Sequence, residues 1–261
     1  MSIPDAGATS LADLMAGGFT GLRALVIGGA GGIGADVVAQ LADLGALVVV
    51  ASRRGPDPAG IAGPQLPGEV AHVGVDLTKP QSIRDLAAWI RREFSGLDLL
   101  VNTAGVTRTV ALRDIRALDD ATIDEVMTSN ASGVLRVIRD LTPALRLGVS
   151  PCVVNVSSVA SRTGVGSNVA YVGAKAAMDA ITLSLAKALA PEIRLLSVAP
   201  SALETDFAKG RPPEFIARTI AATPLARLAT PREVANAILV AARLLTMTTG
   251  TTIYVDGGRH L

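Results

Sequence analysis

The stretch Leu22-Arg23-Ala24-Leu25-Val26-Ile27-Gly28-Gly29-Ala30-Gly31-Gly32-Ile33-Gly34 decides the fold of this chain. Its first six residues, apolar except for Arg23, are too few for a core helix and suit a short buried strand. The strand runs directly into a glycine-rich turn, and Ala35 to Leu44 then reads as a helix stopped by Gly45. Leu47 to Ala51 is a second apolar strand, which completes a β-α-β unit. Glycines at such a turn let the backbone approach a pyrophosphate, and the helix start offers free N–H groups and a positive dipole end. Two registers fit, Gly29-x-Gly31-x-x-Gly34 and Gly28-x-x-x-Gly32-x-Gly34. A bare tight turn is the plainer reading, but the strand before it and the helix after it favour phosphate binding.

Outward from this unit the alternation continues. Gly55 to Gly68 is rich in Pro and Gly and reads as a loop. Strands are expected at Val70–Val75, Leu97–Val101, Cys152–Val156, Ile193–Val198 and Thr252–Val255. Helices are expected at Gln81–Phe94, Ile123–Leu147, Ala170–Leu189 and Pro231–Leu245, with short helical pieces between 203 and 230. Strands that are continuously apolar and alternate with helices indicate a parallel sheet covered on both faces. The predicted fold class is therefore α/β: a single doubly wound Rossmann domain of about seven strands over residues 21–261, with ligands at the strands' C-terminal ends. Residues 1–20 read as an N-terminal arm with a short helix at Ser10–Met15, and the substrate-loop region is expected near 202–223.

Bulk properties exclude several classes. A formal charge of +1 without a basic stretch gives nucleic-acid binding no electrostatic support. The single cysteine, Cys152, sits in an apolar strand and can build neither a disulfide nor a zinc site. His72 and His260 lie far apart, so no metal site is expected. The start Met-Ser-Ile-Pro-Asp lacks the basic and apolar regions of a signal peptide, and no uncharged apolar stretch reaches a membrane span of about 18 residues. A soluble cytoplasmic protein without membrane or nucleic-acid partners is the expectation.

Two further features carry chemistry. The second strand ends Ala51-Ser52-Arg53-Arg54, without the acid that usually binds the ribose hydroxyls of NAD. Arginine there suits a 2′-phosphate, so the cofactor reads as NADP(H), with NAD(H) as the alternative. Solvated surface arginines compete with this reading for Arg54 more than for Arg53. The second feature is Tyr171-Val172-Gly173-Ala174-Lys175. Four residues apart on a helix, the phenol and ammonium share a face, and the cation draws the tyrosine down from its usual value of about 10.

With these residues on the page, the chain from about residue 20 onward resembles the classical short-chain dehydrogenase/reductases. The motifs occur in order: Gly28-x-x-x-Gly32-x-Gly34, Asp76, Asn102-x-Ala104-Gly105, Asn130, Ser158, Tyr171-x-x-x-Lys175, and Pro200 followed by Thr205. The resemblance selects the Gly28/Gly32/Gly34 register. It implies that the turn Gly28, Gly31, Gly32, Ile33 and Gly34 holds the pyrophosphate, while the strand-end reading gives Ser52 and Arg53 as the direct 2′-phosphate contacts, with Arg54 beside them. Asp76 would contact the adenine amino group beside the Leu77 backbone, and Asn102, Ala104 and Gly105 would line the ribose side. Pro200, Leu203 and Thr205 would meet the nicotinamide, together with Tyr171 and Lys175. It further implies Asn130, Ser158, Tyr171 and Lys175 as the catalytic set, with Ser157 as an alternative to Ser158. The implied reaction is reversible hydride transfer between nicotinamide and a carbonyl or secondary alcohol, closest in look to the 3-oxoacyl-carrier-protein reductase branch. An NAD-linked alcohol or polyol dehydrogenase and a non-catalytic cofactor-binding sensor or scaffold are the rivals. A small-molecule substrate is implied, and Arg108, Arg162, Lys209 and Arg211 are the nearby cations that could meet an anionic one. Assembly as a homodimer or homotetramer through the Tyr171 helix is also implied. The chain departs from the family pattern at Ile27, Leu196 and Ser201, where threonine, asparagine and glycine are usual.

Overall fold

Alternate residues of a strand face opposite ways, and here both directions are apolar. A sheet made of such strands must be covered twice. The computed structural model describes residues 18–58, 61–203 and 212–261. Within them, β1 (Arg23–Ile27), β2 (Leu47–Ser52), β3 (Val70–Gly74), β4 (Leu99–Asn102), β5 (Cys152–Val156), β6 (Arg194–Pro200) and β7 (Thr252–Val255) form one sheet. Every neighbouring pair is parallel and the order is β3-β2-β1-β4-β5-β6-β7. This is the doubly wound α/β architecture expected.

The helices are α1 (Gly32–Asp43), α2 (Pro80–Glu93), α3 (Asp120–Met127), α4 (Gly133–Leu145), α5 (Ala160–Thr163), α6 (Val169–Ala188), α7 (Pro213–Ala221) and α8 (Pro231–Arg243). Leu25, Ile27, Val49, Ala51, Val153 and Leu195 face one layer with α2, α4 and α6. Ala24, Val26, Val48, Val50, Val154, Leu196 and Val198 face the other, with α1 and α8. Leu196 therefore serves as plain core on the α8 side. Its neighbour Ser197 turns the other way and bonds Thr182 of α6 (3.1 Å). By length and composition α6 could cross a membrane. However, Met178 and Ala186 bury it against the sheet.

At the N-terminal end of the strands Asp98 is buried and accepts from Arg23 N (2.9 Å), Arg23 Nε (2.9 Å), Arg23 Nη2 (2.7 Å) and Val149 N (2.6 Å). The C-terminal ends carry the cleft. The chain leaves β1 toward β2 and β3, then returns to the other side of β1 at β4. The two connections diverge there and leave a crevice, the usual ligand position in such sheets.

Several boundaries differ from the sequence expectation, some for evident physical reasons. Helix α1 begins at Gly32, not Ala35, because the first helical N–H groups need no internal partner, so glycine is tolerated there. Strand β4 covers Leu99–Asn102, two residues later than expected at its start; its last residue pairs with Ile27 and Asn155, and Asn102 Nδ2 also bonds Asn155 Oδ1 (2.8 Å). The loop after Ser158 contains the short α5, where the Ser158 hydroxyl accepts from Ala160 N (3.2 Å). The expected continuous helix Ile123–Leu147 starts earlier, at Asp120, capped by the Asp119 carboxylate on Thr122 N. It is broken by one wide turn, Thr128–Ser132, between α3 and α4. Most of the N-terminal arm with its Ser10–Met15 helix, Thr205, Lys209 and Arg211 lie outside the described residues.

Candidate active site

The glycine turn is shaped by what surrounds it. Gly28 has φ +85°, and a Cβ there would stand 2.5 Å from Ala104 N. A Cβ on Gly34 would meet the Thr103 hydroxyl at 2.7 Å and Gly29 Cα at 2.8 Å. These two glycines let β1, α1 and the segment after β4 close on one another. Gly31 and Gly32 differ: a Cβ on either would meet nothing within 4 Å. They form the open lip of the turn at the start of α1, where unpaired N–H groups gather. Ile27, the departure from the family pattern, is buried, and its carbonyl accepts from Thr103 N (2.9 Å), Ala104 N (3.0 Å) and Thr103 Oγ1 (2.8 Å). A hydroxyl from β4's end thus supplies the side-chain bond to this turn.

The end expected to hold the adenosine is built by the ends of β2 and β3. Ser52 is half-buried and Arg53 and Arg54 are exposed. The Arg53 guanidinium lies 3.9 Å from Glu125 of α3, which also stands 3.7 Å from Arg108. Asp76 Oδ1 accepts from Thr78 N (3.0 Å) and Thr78 Oγ1 (2.7 Å), and Oδ2 lies 3.6 Å from Lys79. Burial works to raise the Asp76 carboxyl, but the Thr78 bonds with Lys79 and Arg53 outweigh it and hold it below the usual range. Leu77 is buried, and its carbonyl leaves no space for a Cβ on Gly133, at 2.8 Å. The glycine therefore brings the start of α4 against the end of β3.

The wide turn places Asn130. Its Nδ2 donates to Val126 O (2.9 Å), one turn back, and to Val106 O (2.8 Å) beyond the Asn102–Gly105 segment. A side chain that takes over a helical carbonyl in this way opens the helix locally. Asn130 is fully buried, and its Oδ1 has no hydrogen-bond partner among the described residues. That oxygen aims at Gly105: a Cβ there would sit 2.5 Å from it and 3.7 Å from Lys175 Nζ. Lys175 is buried, donates to Val156 O (2.7 Å) and lies 5.7 Å from the centre of the Tyr171 ring. Burial pulls its amine down to about 8, with Asp179 pulling the other way. Ser157 is buried with its hydroxyl toward Lys175 O (3.4 Å), while Ser158 is half-buried at the rim. Val159 N bonds Pro200 O (3.1 Å), drawing the ends of β5 and β6 together beside it. Leu203 bridges to Ala229.

Thus the expected Gly28–Gly34 turn, Asn102–Gly105 segment, Asn130 and Lys175 converge on one cleft, and Tyr171 lies with Lys175 on α6. Ser52, Arg53, Asp76 and Leu77 line one end of the strand row, and Ser158, Pro200 and Leu203 the other. The orphan Asn130 oxygen and the open Gly31–Gly32 lip fit a dinucleotide laid across the strand ends. Sequence reasoning missed Thr103, Glu125 and Asn168. The last had a readable signal, since Asn directly before an apolar helix is a favoured cap, and Asn168 Oδ1 accepts from Tyr171 N (2.7 Å). Arg162 is exposed on α5 and takes no part in this geometry.

Comparison with known proteins agrees with this geometry. A family described as enoyl-acyl-carrier-protein reductase matches residues 28–260. The chain belongs to the short-chain dehydrogenase/reductase family, in its classical form, and is an oxidoreductase of that family. It is 30% identical over 191 residues to a 3-oxoacyl-acyl-carrier-protein reductase of Vibrio cholerae, covering 72% of this chain and 77% of the relative. Among solved structures, the ligand-free aldohexose dehydrogenase of Thermoplasma acidophilum superposes with a TM-score of 0.82 at 26% identity, over 93% of this chain and 95% of that one. The RhlG protein of Pseudomonas aeruginosa, solved with NADP at its active site, superposes at 0.81 with 28% identity, over 93% and 97%.

Proposed function

We propose that the protein is an NADP(H)-dependent ketoreductase acting on a small carbonyl substrate. The observation that carries this reading is the buried Lys175 amine, held beside Tyr171 and facing the orphan Asn130 oxygen across Gly105. Such an arrangement suits proton delivery to an oxygen that gains negative charge. When bound, the nicotinamide would supply the hydride. Ser158 and Tyr171 would donate hydrogen bonds to the carbonyl oxygen where charge develops, and Tyr171 would pass its proton to it. Lys175 stabilises the phenolate left behind. With a pKa of about 8, it also exchanges protons readily near neutrality. The free Asn130 oxygen is placed to hold a water that returns a proton to Lys175. The likeness to a 3-oxoacyl-acyl-carrier-protein reductase supports reduction of a keto group.

Arg53 at the end of β2, with no acid on that strand end, supports NADP(H), as does the likeness to a protein solved with NADP. The exposed Leu183 on the outward face of α6 supports assembly with a second copy. The test is NADPH and NADH oxidation against a panel of ketones that includes 3-oxoacyl thioesters. Tyr171→Phe is expected to retain cofactor binding and lose turnover by at least about 100-fold. Turnover at the wild-type rate in that variant would overturn the assignment.

A further inference from the structure

Asn168 sits immediately before α6, is 1% exposed and spends its whole amide on two different segments. Its Oδ1 accepts from Tyr171 N (2.7 Å). Its Nδ2 donates to Arg108 O (2.7 Å) and toward Thr107 Oγ1 (3.3 Å). The orientation of the amide follows from chemistry: a backbone N–H can only donate and a backbone carbonyl can only accept, so oxygen faces Tyr171 and nitrogen faces Arg108. Around it the two segments are joined twice more. Thr107 Oγ1 bonds Ser167 Oγ, and Val110 N donates to Ser167 O (2.8 Å).

The segment held in this way comes directly after Gly105, which touches Asn130. It also packs on the catalytic helix, since Val106 and Val110 lie against the small apolar cluster that contains Tyr171, Ala160 and Ala170. The carbonyl of Arg108 goes to Asn168, while its guanidinium goes to Glu125. One side chain thus bonds both the start of the Tyr171 helix and the 106–110 segment, beside the two Ser167 links.

We propose that Asn168 is a positioning residue that clasps the 106–110 segment to the start of the catalytic helix, so that the carbonyl substrate is held against a wall of fixed distance from Tyr171. The substrate part rests on the reductase reading above; the clasp itself does not. Asn168 touches no reacting atom and acts through the backbone on either side of it. Its two roles are separable by substitution. Serine is as good a helix cap as asparagine but is too short to reach Arg108 O. Alanine loses the cap and the clasp together.

The experiment uses the full-length enzyme with NADPH and acetoacetyl-CoA as the probe substrate, together with amide hydrogen exchange of the unliganded protein. Asn168→Ser is expected to raise KM for acetoacetyl-CoA by about five- to twentyfold, the effect of losing one or two buried hydrogen bonds. Its kcat is expected to stay within about twofold, with the NADPH dissociation constant unchanged. Exchange is expected to quicken across residues 106–110 while residues 169–175 stay protected. Asn168→Ala is expected to quicken exchange in both segments and to lower kcat as well. Wild-type KM and wild-type exchange across 106–110 in Asn168→Ser would overturn the proposal. So would a loss spread evenly over kcat, KM, NADPH binding and thermal stability, which would mark Asn168 as merely structural. Should the wild-type enzyme reduce no carbonyl, the reductase reading fails, and the exchange pattern alone still decides whether the clasp exists.

Discussion

Replacing Lys175 with methionine is expected to stabilise the folded chain near neutral pH even though it removes a proposed catalytic group. The lysine is buried and its amine is pulled down to about 8 from the ordinary 10.5, with burial as the main cause. The charged form is thus held against its solvation preference, and the gap is equivalent to roughly 3 kcal/mol. Methionine fills a similar volume without a charge. It forfeits the bond to Val156 O, a loss of about 1 kcal/mol, so a net gain of about 2 kcal/mol is expected at pH 7. The pH dependence distinguishes this cause from ordinary repacking. Below about pH 8 the lysine is protonated both folded and unfolded, and the full cost is present. Between about 8 and 10.5 the unfolded chain binds the extra proton, so wild-type stability rises with pH. Above 10.5 both states are neutral and the cost has gone. Urea unfolding of both proteins from pH 6 to 11 measures the difference, and titrating groups that do not sense Lys175 cancel in the subtraction. An advantage for the variant that shrinks through that window supports the argument. A pH-independent difference, or a less stable variant at pH 7 with the same profile, would refute it.

Asp98→Asn is expected to lose about 3 kcal/mol at pH 7, because Arg23 would remain without its carboxylate partner. The bonds from Arg23 and Val149 overcome burial and hold the Asp98 carboxyl below its ordinary value of 3.8. Its stabilisation is therefore present above 3.8 and lost as pH falls through the lower folded value. Acid titration in urea should bring variant and wild type together only below about pH 4. Glu125→Gln is expected to tighten NADPH binding about two- to fivefold at low salt and leave NADH unchanged. It removes an acid 3.9 Å from Arg53, and exposed charge pairs of this kind are weak; titrating both cofactors by fluorescence checks it. Gly31→Ala is expected to leave stability within about 0.5 kcal/mol, since its Cβ would meet nothing within 4 Å. It should nonetheless weaken NADPH binding, and the cofactor titration read beside a melting curve separates the two effects.

Which parts of this were legible in the sequence follows from where the determining contacts lie. The central strands were legible because both their faces are buried, so they are nearly continuous apolar runs, as in Leu47–Ala51. The glycine turn and the Tyr171–Lys175 pair were legible because their geometry is local. The wide turn at Asn130 was not: it depends on Val106 O, 24 residues away, competing for the side chain. Thr103 was invisible for the same reason, since its partner Ile27 O is 76 residues distant. The start of α1 at Gly32 was not legible, because glycine's poor helix propensity says little at positions where the first turn's N–H groups have no internal partner.

The position of α6 over the sheet calls for something other than its apolar contacts. Its buried face is made largely of Ala170, Ala174, Met178 and Ala186, small or flexible side chains that would tolerate a sliding displacement at little cost. What resists sliding is a buried polar chain. Asn102 Nδ2 donates to Asn155 Oδ1 (2.8 Å), Asn155 Nδ2 to Thr182 Oγ1 (2.9 Å), Thr182 Oγ1 to Met178 O (2.9 Å), and Ser197 Oγ bonds Thr182 Oγ1 (3.1 Å). Strands β5 and β6 meet the helix at one hydroxyl, and β4 joins them through Asn155. Displacing α6 by even an ångström would leave several of these groups buried and unpaired, each at about 1–3 kcal/mol. Thr182 lies about three turns from Tyr171, and Asn168 fixes the helix at its other end. The proposed catalytic pair is thus carried on a helix pinned at two points by polar groups. This reconciles a core of alanine and valine, which specifies position loosely, with a site that needs Tyr171 and Lys175 held to a fraction of an ångström.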